Sequence, residues 1–192
     1  MWQFSDELKE RKLKLVSEGY DAYCLFTLEG LEVKLANELN KEYDYLIATP
    51  LMKMAHRSNK GEKYDVEEVL LGGYIFLYLP TYKDPYHIKS NYYSYKILSR
   101  KNDDGKLVLS DLEYAKWVLD VEGMLSVSEA IKIDGKVKII AGALKKLEGN
   151  IVEYSKKNRN CCVEIDFLGQ KTRTWLPFEW IDFNCEEINT KR

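Results

Sequence analysis

The 192-residue chain is poor in the side chains that most often build metal centres and catalytic sites. Its two histidines, His56 and His87, lie far apart, and none of its four cysteines belongs to a CxxC pair. Zinc sites and histidine-dependent catalytic sites usually combine several such residues. The sequence therefore predicts no metal, no cofactor and no catalytic residue, and the cysteines are expected to be reduced thiols.

Long apolar runs are also missing. The opening segment, MWQFSDELKERKLKL, has no continuous apolar core of the kind found in signal peptides. No apolar run approaches the ~20 residues that cross a bilayer. We therefore expect a cytoplasmic protein with no membrane partner.

The net charge is small, but the charges are unevenly distributed. The net charge is −2, yet residues 136–175 carry 9 Lys+Arg against 4 Asp+Glu, whereas residues 1–122 carry 17 against 21. A basic segment that follows an acidic one indicates nucleic-acid contact by the basic segment, although solvated lysines give the same pattern. The 14 tyrosines can be interpreted as enrichment at a binding interface or as the result of a low-GC coding bias.

Residues 1–122 predict helices packed on an antiparallel sheet, an α+β arrangement. Ser5 and Ser110 are predicted N-caps, and 56–65 is predicted to be a polar loop. Helices are expected over 5–18, 29–41, 86–94 and 110–121. Extended segments are expected over 20–28, 44–54, 66–79 (interrupted by Gly72-Gly73), 95–100 and 106–110, the last two as a hairpin.

The pattern changes after residue 136. Four short strands, in VKIIAG, GNIVEYS, CCVEIDFLG and KTRTWLPFEWI, are separated by Gly, Asn and Lys, and a fifth is expected at their edges. Short, evenly spaced strands over about fifty residues are typical of a small all-β barrel.

Three stretches resemble the NusG family of bacterial transcription elongation and antitermination factors. Residues 69–77 (VLLGGYIFL) resemble a strand of its N-terminal (NGN) domain, and 135–152 (GKVKIIAGALKKLEGNIV) resemble the KOW signature. Residues 166–172 (DFLGQKT) resemble a turn of the same domain. Gly72 and Ala143 replace common prolines and Lys146 a common glycine, which indicates a specialised paralogue similar to LoaP or RfaH.

The resemblance implies an NGN-type antiparallel sheet with packed helices, followed by a KOW (SH3-like) barrel. The implied segments are an N-terminal helical extension (1–19), an NGN-like domain (20–122), a linker (123–135), a KOW domain (136–184) and a tail (185–192). The implied function is binding of a monomer to RNA polymerase, at the clamp helices of its largest subunit, to suppress pausing or termination.

Site residues follow from motif positions. Tyr74 and Phe76 share one strand face and are assigned to the polymerase patch, although filling the core is the alternative for both. Tyr86 and His87 are assigned to the opposite pincer of the polymerase. Leu147 is assigned to contact with a small-subunit ribosomal protein or Rho, unless it packs under its loop. The cations assigned to RNA, with a nascent leader hairpin as the candidate, are Lys145, Lys146, Lys156, Lys157, Arg159, Lys171 and Arg173.

Two other classes of function remain open. The chain could be an RNA-binding or ribosome-associated KOW protein that does not act on polymerase. It could also be an enzyme that uses paired carboxylates, Glu67 with Glu68 or Asp103 with Asp104. Both pairs lie in charged or turn sequence, and no nucleophile–base set accompanies them, so we expect no enzyme.

Overall fold

The computed structural model describes residues 1–59, 62–98, 104–133 and 136–181. The chain has a mixed α+β architecture and divides into two compact units. The first unit comprises Met1–Lys53 and Val66–Met124, and the second comprises Met54–Asp65 and Leu125–Arg192. Within the described ranges, none of the helices is long and apolar enough to cross a membrane.

The described residues form four α-helices and twelve β-strands. The helices are α1 (Asp6–Glu18), α2 (Glu32–Glu42), α3 (Leu109–Asp120) and α4 (Ala143–Lys146). The strands are β1 (Tyr20–Thr27), β2 (Ile47–Thr49), β3 (Met52–Asn59), β4 (Glu62–Val69), β5 (Tyr74–Pro80), β6 (Tyr95–Ile97), β7 (Met124–Leu125), β8 (Ser128–Ile133), β9 (Lys136–Ala141), β10 (Ile151–Ser155), β11 (Asn160–Phe167) and β12 (Gln170–Trp180).

Helix α1 follows Ser5, the serine predicted to cap it. The Ser5 hydroxyl accepts a hydrogen bond from the Leu8 amide at 3.3 Å. Gly19 follows the helix at φ +89°, a value that favours glycine. Residues 1–19, which the sequence sets apart as an extension, lie inside the first unit: Trp2 and Leu15 are buried, and Trp2 belongs to the unit's core.

A buried arginine joins α1 to the end of α2. One terminal nitrogen of Arg11 (Nη1) donates to the carbonyl oxygens of Asn40, Tyr43 and Leu46 at 3.2, 2.8 and 2.7 Å. The other (Nη2) donates to Glu7 at 2.7 Å. Carbonyls at a helix C-terminus lack intrahelical partners, and Arg11 supplies donors to that region.

The first unit is built on a four-stranded antiparallel sheet of order β2-β5-β1-β6. Side chains alternate between its two faces. On one face Ile75, Leu77 and Leu79 of β5 form a core cluster with Leu35 and Leu39 of α2. The apolar spacing that predicted a helix over 29–41 thus lies on the buried side of α2.

The other sheet face carries α3. Cys24, Phe76 and Tyr78 on this face are fully buried. The Tyr78 hydroxyl donates to the Ala115 carbonyl oxygen at 2.6 Å, and the Phe76 and Tyr114 ring centroids lie 5.8 Å apart. Both contacts fix α3 across the strands.

The predicted helix at 110–121 is confirmed, but its predicted cap is wrong. The N-cap residue is Val108, which offers no side-chain hydrogen bond, and Ser110 lies inside the first turn. The helix starts one residue earlier than predicted, at Leu109, whose φ is +52°.

A pair of strands replaces the polar loop predicted at 56–65. Strand β3 continues to Asn59 and β4 begins at Glu62, and the two are neighbours in a three-stranded sheet of order β4-β3-β7. Polar residues suit strands that have a solvated face, so this segment carries no apolar alternation that would predict a strand. The segment 66–79 is interrupted at the predicted glycine pair, where Gly73 at φ +80° turns the chain between β4 and β5.

Two expectations for 86–110 are wrong. Only Pro85–His87 forms a helical turn, of the 3-10 type, where a helix over 86–94 was expected. Strand β6 pairs with β1, and Lys106 forms a bridge with Tyr23 of the same strand, so 95–100 and 106–110 do not form a hairpin. The edge of β1 accepts both segments. Residues 99–103 of the predicted hairpin lie outside the described residues.

The second unit contains a five-stranded sheet of order β10-β11-β12-β8-β9. The four strands predicted after residue 136 are confirmed as β9 to β12. The predicted linker, 123–135, instead contains β8, which pairs in parallel with β12 and antiparallel with β9. Alternating burial explains the difference, because Ser128 and Ala130 face the interior while Glu129 is exposed.

Glycines set two turns of the second unit. Leu168 and Gly169, both at positive φ, join β11 to β12 as a two-residue hairpin loop of the kind that favours positive φ. Gly142 is at φ +87° and ψ −175°, and a Cβ there would lie 2.7 Å from the Ser128 Cα. The Ser128 hydroxyl accepts from the Leu144 amide at 3.0 Å, which fixes the start of α4 on β8.

Candidate functional site

An aromatic pair lies at one end of the first sheet, on the face that α3 covers elsewhere. Phe26 of β1 is directly opposite Tyr74 of β5. Their ring centroids are 5.6 Å apart with planes at 70°, an edge-to-face arrangement. Phe26 is 45% exposed and the neighbouring Leu28 is 70% exposed, while Tyr74 is half-buried. Large apolar side chains thus reach solvent together at this end.

Gly73 brings the two rings together. Its φ of +80° is strained for other residues, and a Cβ there would lie 2.9 Å from the Phe26 ring. The Gly73 carbonyl accepts from the Thr27 amide at 2.9 Å, so the turn before Tyr74 is bonded to the end of β1. The glycine in the family-like motif therefore has a local physical role in this chain.

A buried carboxylate lies under the same end of the sheet. Glu32, the first residue of α2, is 1% exposed. One carboxylate oxygen (Oε1) accepts from the Gly73 amide at 2.6 Å, and the other (Oε2) accepts from the Gly30 amide at 2.8 Å. A negative charge at a helix N-terminus is favourable, which supports the buried position.

Phe76 does not belong to the exposed surface, which corrects its assignment to the polymerase patch. Its side chain has no exposed area because α3 covers it through Tyr114. Phe76 fills the core, which is the alternative left open from the sequence. Tyr74 shares its strand face but lies at the exposed end, beside Phe26.

Tyr86 and His87 lie in the short 3-10 turn after β5. Tyr86 is 54% exposed, and its amide donates to Asp84 at 2.9 Å. The His87 side chain is 85% exposed, with its imidazole Nδ1 3.6 Å from the Asp84 carboxylate. Both are available to a partner.

A surface groove of about 580 Å³ adjoins Tyr86. Its lining includes Lys89, Tyr93, Tyr95 and Lys96. Burial raises the pKa of Tyr95 to about 12, so its hydroxyl stays protonated and donates to the Ile88 carbonyl. That bond orders one wall of the groove.

The seven cations assigned to RNA do not form one cluster. Lys156, Lys157 and Arg159 are exposed in the four-residue turn between β10 and β11. Lys171 and Arg173 lie further along the sheet, where Arg173 is opposite Glu164. The four residue steps from Asn160 to Glu164 separate the two groups by about 13 Å along the strand.

Lys171 and Arg173 are paired with a carboxylate. Lys171 Nζ and Arg173 Nη2 lie 3.1 and 3.0 Å from the Glu164 carboxylate oxygens. Hydrogen bonds from Lys171 and then Arg173 lower the pKa of Glu164, so it is ionised near neutral pH. Part of the positive charge at this place is therefore compensated within the chain.

The remaining two cations and Leu147 lie in the segment around α4. Lys145 and Lys146 are exposed, and Lys145 Nζ donates to the Ile139 carbonyl at 3.1 Å. Leu147 is 8% exposed and its amide donates to the Leu144 carbonyl. Leu147 therefore packs under its loop, which corrects its assignment as a partner contact.

The described residues contain no group of three or more His, Cys, Asp or Glu side chains arranged to hold a metal ion. The thiols of Cys24 and Cys161 are buried. Burial raises the pKa of the Cys161 thiol to about 12 and that of the Cys24 thiol further, so both stay protonated. Reactive cysteines require thiolate character, which these two lack.

Sequence reasoning missed Phe26 and Glu32. The signal for Phe26 was available, since pairing β1 with the Tyr74 strand places an aromatic opposite Tyr74. Glu32 gave no such signal, because an acidic residue in a first helical turn is normally solvated, and its partner Gly73 is 41 residues away.

No protein-family model and no curated protein matches the chain. A solved structure described as "Domain interaction in Thermotoga maritima NusG" is similar to it. The alignment covers 83% of this chain and 94% of that chain, at 18% identity and a TM-score of 0.48.

Proposed function

We propose that the chain is a transcription elongation or antitermination factor of the NusG type that binds bacterial RNA polymerase through its first unit. The Phe26–Tyr74 pair carries the proposal: the two aromatic rings, backed by a glycine turn and a buried carboxylate, reach solvent at one end of the sheet, and Tyr74 lies in the segment that resembles the family's strand. Exposed aromatic side chains on a rigid element are suited to be interface hot spots.

In this proposal the pair contacts the clamp helices of the largest polymerase subunit. Tyr86 and His87, both exposed, contact the opposite pincer. A protein that binds both pincers stabilises the closed clamp relative to the open one. Pausing and termination are then suppressed by differential binding of two conformations, with no bond chemistry.

Alanine substitutions of the pair test the proposal. Tyr74→Ala or Phe26→Ala is expected to lower the affinity for core RNA polymerase about 30-fold, since truncation of a hot-spot aromatic costs about 2 kcal/mol. Tyr82→Ala is the matched control, because Tyr82 is 74% exposed and follows the opposite end of β5. Affinity is measured by biolayer interferometry on folded variants.

Equal affinities for Tyr74→Ala, Phe26→Ala and the control would contradict the polymerase assignment. RNA or ribosome binding without polymerase binding would instead favour the alternative, an RNA-binding or ribosome-associated KOW protein.

The second unit is proposed to contact RNA, such as a leader hairpin, through the turn of Lys156, Lys157 and Arg159. Three exposed cations in four residues support this, because neutralised phosphates release counterions and make binding salt-dependent. The surface is smaller than the sequence indicates, since Lys171 and Arg173 bind Glu164. We propose no ribosomal-protein or Rho contact through Leu147, because it is buried.

Charge removal at two places tests the RNA assignment. Lys156→Gln with Lys157→Gln is expected to lower the salt slope of RNA affinity by up to about two. Lys171→Gln with Arg173→Gln removes the same charge but is expected to change the slope less. An identical slope for the first pair and the unmodified chain would remove this turn from the RNA site.

A further inference from the structure

The Phe26–Tyr74 pair is supported by buried groups of the neighbouring turns. Each aromatic residue lies next to a turn: Phe26 is near the end of β1 and is followed by the turn at Gly30, and the turn at Gly73 leads into Tyr74. Gly30 and Gly73 have φ values of +87° and +80°. Two unrelated turns must therefore be fixed relative to each other for the rings to meet.

Glu32 is the one side chain hydrogen-bonded to both glycines in the described part of the chain. Its carboxylate oxygens accept from the Gly73 and Gly30 amides at 2.6 and 2.8 Å, and its exposed fraction is 1%. Charge-assisted hydrogen bonds are short and roughly twice as strong as neutral ones. Displacement of either turn would break one of these two hydrogen bonds. Because Glu32 is buried, water could not replace the lost partner.

The bond to Gly73 acts directly on the aromatic pair. Gly73 approaches Phe26 so closely that a Cβ would lie 2.9 Å from the ring, and the next residue is Tyr74. The Gly73 carbonyl is bonded to Thr27, beside Phe26. A shift of the Gly73 backbone would therefore change the packing of Phe26 and the direction of Tyr74 together.

The role of this carboxylate differs from that of a helix cap. A cap satisfies the free amides of its own first turn. Glu32 instead accepts from Gly30, which precedes α2, and from Gly73, which is 41 residues distant. Both acceptors are oxygens, and an amide side chain would offer one oxygen and one N–H group, which cannot accept.

We propose that Glu32 is a positioning residue that sets the orientation of the Phe26–Tyr74 pair for partner binding. The inference rests on the proposed polymerase function for its binding consequence, but its structural consequence stands apart from that function. Glu32 itself is buried and touches no partner.

The test uses Glu32→Gln in the full chain, with Glu42→Gln as the matched control on the exposed end of the same helix. Nuclear Overhauser effects between the Phe26 and Tyr74 rings and the Gly73 amide shift report the geometry. Affinity for core RNA polymerase reports function. We expect Glu32→Gln to weaken the ring–ring effects, shift the Gly73 amide upfield and lower affinity about tenfold, while the control matches the unmodified chain.

A second variant keeps the buried charge, so that a folding defect of Glu32→Gln alone does not decide the result. Glu32→Asp keeps the charge but is one methylene shorter, so it is expected to retain the local bond to Gly30 and lose the bond to Gly73. It should reproduce the changes at Gly73 and in the ring pair.

Unchanged ring–ring effects in both Glu32 variants overturn the proposal, as does altered ring geometry with unaltered affinity. If the unmodified chain does not bind polymerase, the proposed function fails, and the ring–ring effects alone then decide whether Glu32 positions the pair.

Discussion

Replacement of Gly142 by alanine should destabilise the second unit more than the same change at Gly149 or Gly169, the other glycines that the structure describes in that unit. At φ +87° and ψ −175° the backbone occupies a region essentially restricted to glycine, with a cost of about 1–3 kcal/mol for other residues. The added Cβ would also lie 2.6 Å from Ser128 Oγ and 2.7 Å from Ser128 Cα. Since a Cα cannot rotate away, β8 must shift, at about 1–3 kcal/mol.

Two other glycines separate these contributions. Gly169 has φ +75° but open space around it, so Gly169→Ala should cost only about 1–2 kcal/mol of backbone strain. Gly149 has open space and no positive φ, so Gly149→Ala should range from neutral to about 1 kcal/mol stabilising. The expected loss for Gly142→Ala is about 3–5 kcal/mol.

Urea denaturation of the full chain, read by hydrogen–deuterium exchange of peptides from 136–181, measures the three effects. The order of stability should be Gly149→Ala, Gly169→Ala, Gly142→Ala, from highest to lowest. If Gly142→Ala were as stable as Gly169→Ala, the contact with Ser128 would not constrain the loop and the reasoning would be wrong.

Other expected outcomes concern stability and titration. Arg11→Ala should lower the free energy of unfolding by about 2–4 kcal/mol, because three carbonyls lose a charged donor, whereas Lys14→Ala on the exposed face of α1 should be nearly neutral in urea denaturation. Tyr78→Phe should cost about 1–2 kcal/mol, from loss of the buried bond to α3, in the same assay. Carboxyl NMR should show the pKa of Glu164 below its ordinary 4.5, and Arg173→Gln should raise it. Because the folded pKa is lowered, the small stabilisation from this ion pair is complete above the ordinary pKa and is lost as pH falls through the folded value.

Local patterns predicted the elements that follow simple periodicity. The aromatic and apolar run at 20–28 and the leucine spacing at 29–41 correspond to β1 and α2. Polar strands such as β3 and β4 carry no such pattern. Hydrogen bonding between the strands stabilises them, and this requires no apolar periodicity. The start of α3 depends on the unusual φ of Leu109, which no capping residue signals.

The residues of the candidate site also divide into those that local patterns predict and those that depend on long-range contacts. Strand alternation places Tyr74 and Phe76 on one face, but only the position of α3 determines that Phe76 is covered and Tyr74 is not. Burial of Arg11 and Glu32 depends on partners 29 to 41 residues away. Single-residue propensities assign such charged side chains to solvent, so long-range contacts of this kind lie beyond local sequence patterns.

Competition for core RNA polymerase tests the central claim most directly. The purified chain is titrated onto bacterial core enzyme in the presence and absence of general NusG. The account predicts saturable binding that NusG displaces and that Tyr74→Ala weakens. Saturable binding that NusG leaves unchanged, or no binding at all, would contradict it.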